Sequence, residues 1–130
     1  MITKNSRVKK RRYYYNGKRC SKGERKIAKF LEYHGIEFEK EVCFDDCLSP
    51  KGNKLKFDFF IPDQEILIEF QGHHHFHPVN KSPNARRIHM KTLTHDRIKQ
   101  DFAINKQFLL LEIAHWEYNK CRKYTFKYCK

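Results

Sequence analysis

Acidic side chains are scarce in this chain: 15 Asp plus Glu stand against 28 Lys plus Arg among 130 residues, for a formal net charge of +13. No apolar run approaches the ~18 residues that cross a bilayer, which excludes a membrane-spanning helix. The first residues also lack the apolar stretch of a secretion signal, so a secreted protein is not expected. Cysteines number 5, scattered as Cys20, Cys43, Cys47, Cys121 and Cys129. An odd, dispersed set does not make a disulfide framework, and the expected setting is reducing: cytoplasm, or nucleus or virion for a virus-encoded protein. There are no internal repeats and no room for a second domain.

Apolar residues are sufficient for one core, because Leu, Ile, Val and Phe supply 32 of the 130 positions, well above the ~20% below which chains stay disordered. The charge is concentrated at the ends. Residues 1–26 carry eleven bases and one acid, residues 119–130 carry five bases and no acid, and the stretch between is nearly neutral. The expected organisation is a flexible basic arm over residues 1–21, a folded domain over 22–118 and a basic tail over 119–130. Lys9, Lys10, Arg11 and Arg12 run into Tyr13, Tyr14 and Tyr15. Cations that neutralise phosphates beside rings that stack on bases point to nucleic acid as the partner.

The segment KGERKIAKFLEYH from residue 22 spaces Ile27, Leu31 and His34, with Ala28 and Phe30, at helical intervals. Ser21 and Glu24 form a capping-box pattern at its start, and Gly35 stops it. Residues 36–44 alternate apolar and polar, which predicts a strand, and residues 45–53 contain Pro and Gly and predict a turn. LKFDFFI (55–61) and ILIEF (66–70) predict two strands joined by the short link at 62–64. A long His-rich connection over 72–91 follows, then a helix near 93–106 and a buried strand at 108–113. The predicted order is α-β-β-β-α-β, an α/β fold with a mixed sheet of about four strands flanked by helices.

Asp58 lies mid-strand and Glu69 near the end of the next strand, so a short hairpin can bring both carboxylates onto one cation. Glu24 can complete the oxygen set. A carboxylate between Phe57 and Phe59 is costly to bury without compensation, which a divalent ion supplies; alternatively, strand alternation turns Asp58 to solvent. The histidines 73–75 and 77, with Cys43 and Cys47, lack the paired spacing of a zinc site, and zinc is not expected.

Phe57-Asp58-Phe59, ten residues, then Glu69-Phe70-Gln71 resembles the D...ExK core of the PD-(D/E)XK nuclease superfamily. The segment Ile68-Glu69-Phe70-Gln71-Gly72-His73-His74-His75-Phe76 is similar to its very-short-patch-repair-like branch, which includes the EDxHD homing endonucleases of phages and large DNA viruses. Asp96-Arg97-Ile98-Lys99 and Leu109-Leu110-Leu111-Glu112-Ile113 continue the match, over residues 22 to 118. The resemblance implies a restriction-endonuclease-like core and Glu24, Asp58, His75 and Asp96 as site positions, with Glu69 between them. It departs from the pattern at Gln71, where many members have Lys, and at Glu112, where Arg is frequent.

What the resemblance implies is a DNA endonuclease using Mg²⁺, for which Mn²⁺ can substitute, held by Asp58 and Glu69 with the Phe70 carbonyl as a third oxygen. Glu24 would orient a metal-bound water. His75 would move a proton, Asp96 would fix its tautomer, and Lys99 or Gln71 would contact phosphate oxygens. Lys9, Lys10, Arg11, Arg12 and Tyr13, with His73, His74, His77, Arg86 and Arg87, are the expected contacts to double-stranded DNA. Both strands would be cut most easily by a homodimer or by two visits, and any sequence recognition would come from the arm and loops or from a partner protein. The alternative is a catalytically inactive nuclease-fold protein that binds nucleic acid as a clamp.

Overall fold

The computed structural model describes residues 12–72 and 75–115. Its first element departs from the expected flexible arm. Tyr13–Tyr15 (β1) and Lys18–Cys20 (β2) pair antiparallel, with Tyr15 opposite Lys18. The two residues between them, Asn16 and Gly17, take φ of 49° and 75°, the left-handed pair that a two-residue hairpin turn requires and that Asn-Gly best supplies. Tyr15 is buried and its hydroxyl donates to Glu32 at 2.9 Å. Its ring therefore belongs to the core and not to a base-stacking arm.

Helix α1 spans Lys22–Tyr33, capped by the Ser21 hydroxyl, which accepts the Glu24 N–H at 3.1 Å. Its apolar stripe of Ile27, Ala28 and Leu31 is fully buried, as the helical spacing predicts. Gly23 in its first turn is pressed against Phe70: a Cβ there would lie 2.2 Å from the ring. Glycine is what allows the start of α1 to approach the sheet this closely.

The sheet has four strands in the order β3-β4-β5-β6: β3 Glu39–Leu48, β4 Lys54–Ile61, β5 Ile66–Gln71 and β6 Leu109–Ala114. The first three run antiparallel and β6 lies parallel to β5, so the sheet is mixed, as expected. Strand β3 begins and ends later than residues 36–44, and the turn into β4 shrinks to the residues around Ser49–Asn53. The Ser49 hydroxyl accepts the Asn53 N–H there at 3.1 Å.

Helix α2, Pro83–Lys106, is the crossover between the parallel strands. It starts ten residues earlier than apolar periodicity suggests. Ser82 caps it, accepting the Ala85 N–H at 3.1 Å, and Pro83 occupies its first turn, where the fixed φ and missing N–H of proline cost nothing. Arg86 and Arg87 consequently lie on the helix and not in the His-rich loop. None of the helices among the described residues is long and apolar enough to cross a membrane.

Two apolar clusters sandwich the sheet. Phe59, Ile61, Ile66, Ile68 and Ile113 pack with α1 and Tyr15. Phe57 and Leu67 pack with Phe102 and Ala103 of α2 on the opposite face. Phe57 and Phe59, two apart on one strand, thus point into different clusters, although strict alternation would put them on the same face. The reversal falls at Asp58. On β3 the residue that would lie opposite is Glu41, between the pairs Lys40↔Phe59 and Val42↔Phe57, and its φ is 55°.

Candidate active site

The sheet forks at Asp58. From the β4–β5 turn the ladder runs Ile61↔Ile66, Phe60↔Leu67 and Phe59↔Ile68, and stops. Beyond that point β4 stays with β3 through Val42↔Phe57, and β5 stays with β6 through Gln71↔Ala114. Side chains take over from the missing rungs. The Phe70 N–H donates to Asp58 Oδ2 at 2.7 Å, and the Asp58 N–H donates to Glu69 Oε1 at 3.3 Å. Each carboxylate satisfies a main-chain donor on the other strand, which is what makes its burial tolerable.

Glu69 is only 6% exposed. Burial, reinforced by the charge of Asp58, pushes its carboxyl up to about 7, against the pull of Lys99. Asp58 is likewise raised by burial, opposed by the Phe70 N–H and the cations Lys99, His75 and Lys40. The solvent-facing alternative for Asp58 does not hold. Lys99, in the C-terminal third of α2, places its ammonium 3.1 Å from Glu69 Oε1, with both side chains largely buried.

Glu24 arrives from the other face of the sheet, at the end of α1 that Gly23 brings close. Its carboxyl is raised by burial and by Asp58, and a hydrogen bond from Ser21 offsets part of that. From the β5–α2 loop, His75 Nδ1 meets Asp96 Oδ2 at 2.9 Å. Asp96 raises the imidazole above its ordinary value while burial opposes it, and the more distant Glu69 adds to the rise. Asp58, Glu69, Lys99, His75, Asp96 and Glu24 therefore converge on the fork from two strands, two helices and the β5–α2 loop.

Gln71 and Glu112, the two departures from the nuclease pattern, are bonded to each other. Gln71 Nε2 donates to Glu112 Oε2 at 2.6 Å, and Gln100 Nε2 to Glu112 Oε1 at 2.8 Å. The amide expected to meet a phosphate is thus committed to Glu112, and the buried cation comes from Lys99 instead. Glu69 and Glu112 lie side by side on parallel strands, which puts Gln71 on the same face; no motif in the sequence marks this pair.

The expected nucleic-acid contacts are dispersed. Arg12 is exposed and Tyr13 half-buried in β1, while His77 is exposed after β5 and Arg86 and Arg87 are exposed on α2. Lys9, Lys10, Arg11, His73 and His74 lie outside the described residues. Cys43 is exposed and Cys47 buried.

Among the described residues, no three His, Cys, Asp or Glu side chains form a ready-made metal cluster. The fork offers two facing carboxylates, and Mg²⁺ sites of this composition draw the remaining ligands from water and substrate phosphate. Oxygen donors whose protons are held on chiefly by burial, with Asp58 adding to the effect at Glu69, are a hard set that a divalent cation would ionise. The residues fit the ion. Against family models, curated proteins and solved structures, the chain shows no match.

Proposed function

We propose that this chain is a metal-dependent DNA endonuclease of the PD-(D/E)XK kind, with the restriction-endonuclease-like arrangement its element order suggests and of the homing or phage-encoded type its motifs resemble. The observation that carries the reading is the Asp58–Glu69 pair at the fork, Glu69 buried and Asp58 half-buried, with the Lys99 ammonium 3.1 Å from Glu69. Structural ion pairs seldom assemble two carboxylates whose pKa values are both raised; sites that must manage protons and phosphate charge do.

Asp58 and Glu69 would hold Mg²⁺, which when bound polarises the scissile phosphate and lowers the pKa of a water ligand. Lys99 takes the place of the strand-borne lysine that Gln71 lacks and meets the negative charge that builds on the phosphate oxygens. Asp96 accepts from Nδ1 of His75, which makes Nε2 the nitrogen that exchanges protons. Because Asp96 raises its pKa, His75 is suited to donate a proton to the 3′ oxygen as the P–O bond breaks. Water adds to phosphorus, its proton leaves through the acidic cluster, and the products are a 5′ phosphate and a 3′ hydroxyl. Glu24 orients the attacking water from the α1 side.

The test is incubation with supercoiled plasmid and Mg²⁺ or Mn²⁺, beside an EDTA control and the Asp58→Asn variant. Metal-dependent nicking or linearisation that drops at least about 100-fold in the variant is expected. Salt-sensitive DNA binding without cleavage under any metal would overturn the hydrolytic reading in favour of the inactive clamp.

A further inference from the structure

We propose that the groove between the β3–β4 turn and the first half of α2 holds the phosphodiester backbone of double-stranded DNA on one side of the cut. This assignment rests on the reading of the fork as a phosphodiester-cleaving site. The groove encloses about 870 Å³, and Lys51, Lys54, Arg87, Lys91 and His95 line it without a single Asp or Glu. Lys54 is partly neutralised by Asp45 at 2.7 Å from outside the lining, while Lys51, Arg87 and Lys91 are exposed on its walls. Ser49, Asn53 and Asn84 add neutral hydrogen-bonding groups, the kind that fix a duplex in register without reading its sequence.

A second opening of similar size, about 830 Å³, lies under Tyr15 and β3. It is lined by Glu32, Glu37, Glu39 and Glu41 against Lys18 and Lys40, so its charge repels a polyanion. Charge sign separates the two openings. Continuity with the site also favours the basic one, because α2 runs from the groove directly to Asp96 and Lys99. Arg87 precedes Lys99 by about 18 Å of helix at ~1.5 Å per residue, which matches roughly five base pairs at ~3.4 Å each along one strand. Phosphates within that distance of the cut would meet Lys91 first and Arg87 and Lys51 farther out.

The test measures fluorescence anisotropy of a labelled DNA duplex against the full chain in EDTA, so that binding is read without cleavage. The triple variant Lys51→Ala/Arg87→Ala/Lys91→Ala is compared with a charge-matched control, Arg19→Ala/Lys22→Ala/Lys26→Ala, on the other side of the molecule. The groove variant is expected to bind at least about 10-fold more weakly near physiological salt, with the slope of log K against log salt reduced by about 2 to 3. The control should show less than half of that change. Binding within about twofold of the parent, or an equal loss in the control, would overturn the groove. Tighter binding of duplex RNA than of duplex DNA would overturn the choice of DNA. Loss of binding in the groove variant, together with a plasmid that the parent chain leaves intact under Mg²⁺ and Mn²⁺, would sustain the groove and sink the hydrolytic reading. Normal binding by the groove variant with intact cleavage would do the reverse.

Discussion

Asp58 has two duties that substitutions can separate. Its carboxylate accepts the Phe70 N–H across the fork and, in the proposed mechanism, holds a metal. Asp58→Asn keeps an acceptor oxygen, whereas Asp58→Ala strands the Phe70 donor, a loss of about 1–3 kcal/mol for a buried group. Both variants should abolish plasmid cleavage, and chemical denaturation should find Asn the more stable by that margin. Lys99 is a second such position. In Lys99→Met, Glu69 loses its ammonium partner and its pKa rises further, because the lowering influence of Lys99 is gone. Cleavage should fall at least about 100-fold and should not recover at higher pH, which a pH series on the variant would show. Rescue by raising pH would mean that Lys99 acts only by adjusting the proton on Glu69.

At the scale of elements, the approach of α1 to β5 decides where Glu24 ends up. Gly23→Ala would drive a methyl into the Phe70 ring, and overpacking of this kind costs about 1–3 kcal/mol. A lower thermal midpoint with a parallel loss of cleavage is expected, since Phe70 adjoins Glu69. A variant with unchanged stability would show that the ring swings away without consequence. The elements legible from apolar patterning are α1, β4, β5 and β6, and β3 with its bounds shifted. The hairpin β1–β2 was legible only through Asn16-Gly17, a signal overshadowed by the run of bases and tyrosines around it. The start of α2 was written in Ser82-Pro83, but Ala85 is the only buried residue in its first half and Ile88 and Met90 are exposed, so no apolar stripe marks it. Strand alternation failed at Asp58 and Glu41 because both strands change facing there, and side-chain geometry of that kind has no period to read. The acids were legible, and the resemblance also brought Lys99 to the site; its pairing with Glu69 was not legible, because it depends on how far α2 is rotated.

Over the whole molecule, the proton balance of the fork sets a pH dependence. Glu69 titrates at about 7 in the fold instead of its ordinary 4.5, so between those values the folded state holds a proton that the unfolded chain releases. Stability therefore falls as pH rises through that window. His75 is also raised and adds a loss in the same direction above about pH 6.5. Metal-free thermal midpoints should decline from pH 5 to pH 8, and saturating Mg²⁺ should restore several degrees at pH 8 and little at pH 5. A midpoint that climbs with pH, or one indifferent to the ion at pH 8, would contradict the carboxylate pair as a cation site. The rungs that Asp58 and Glu69 supply across the fork also shape the paths open to mutation. A lineage that abandons catalysis still needs acceptors for two main-chain donors, so it can give up the charges more easily than the oxygens. Under the proposed function, descendants that no longer cut are expected to carry Asn at position 58 or Gln at position 69 before Ala, and their silence would be written as an amide.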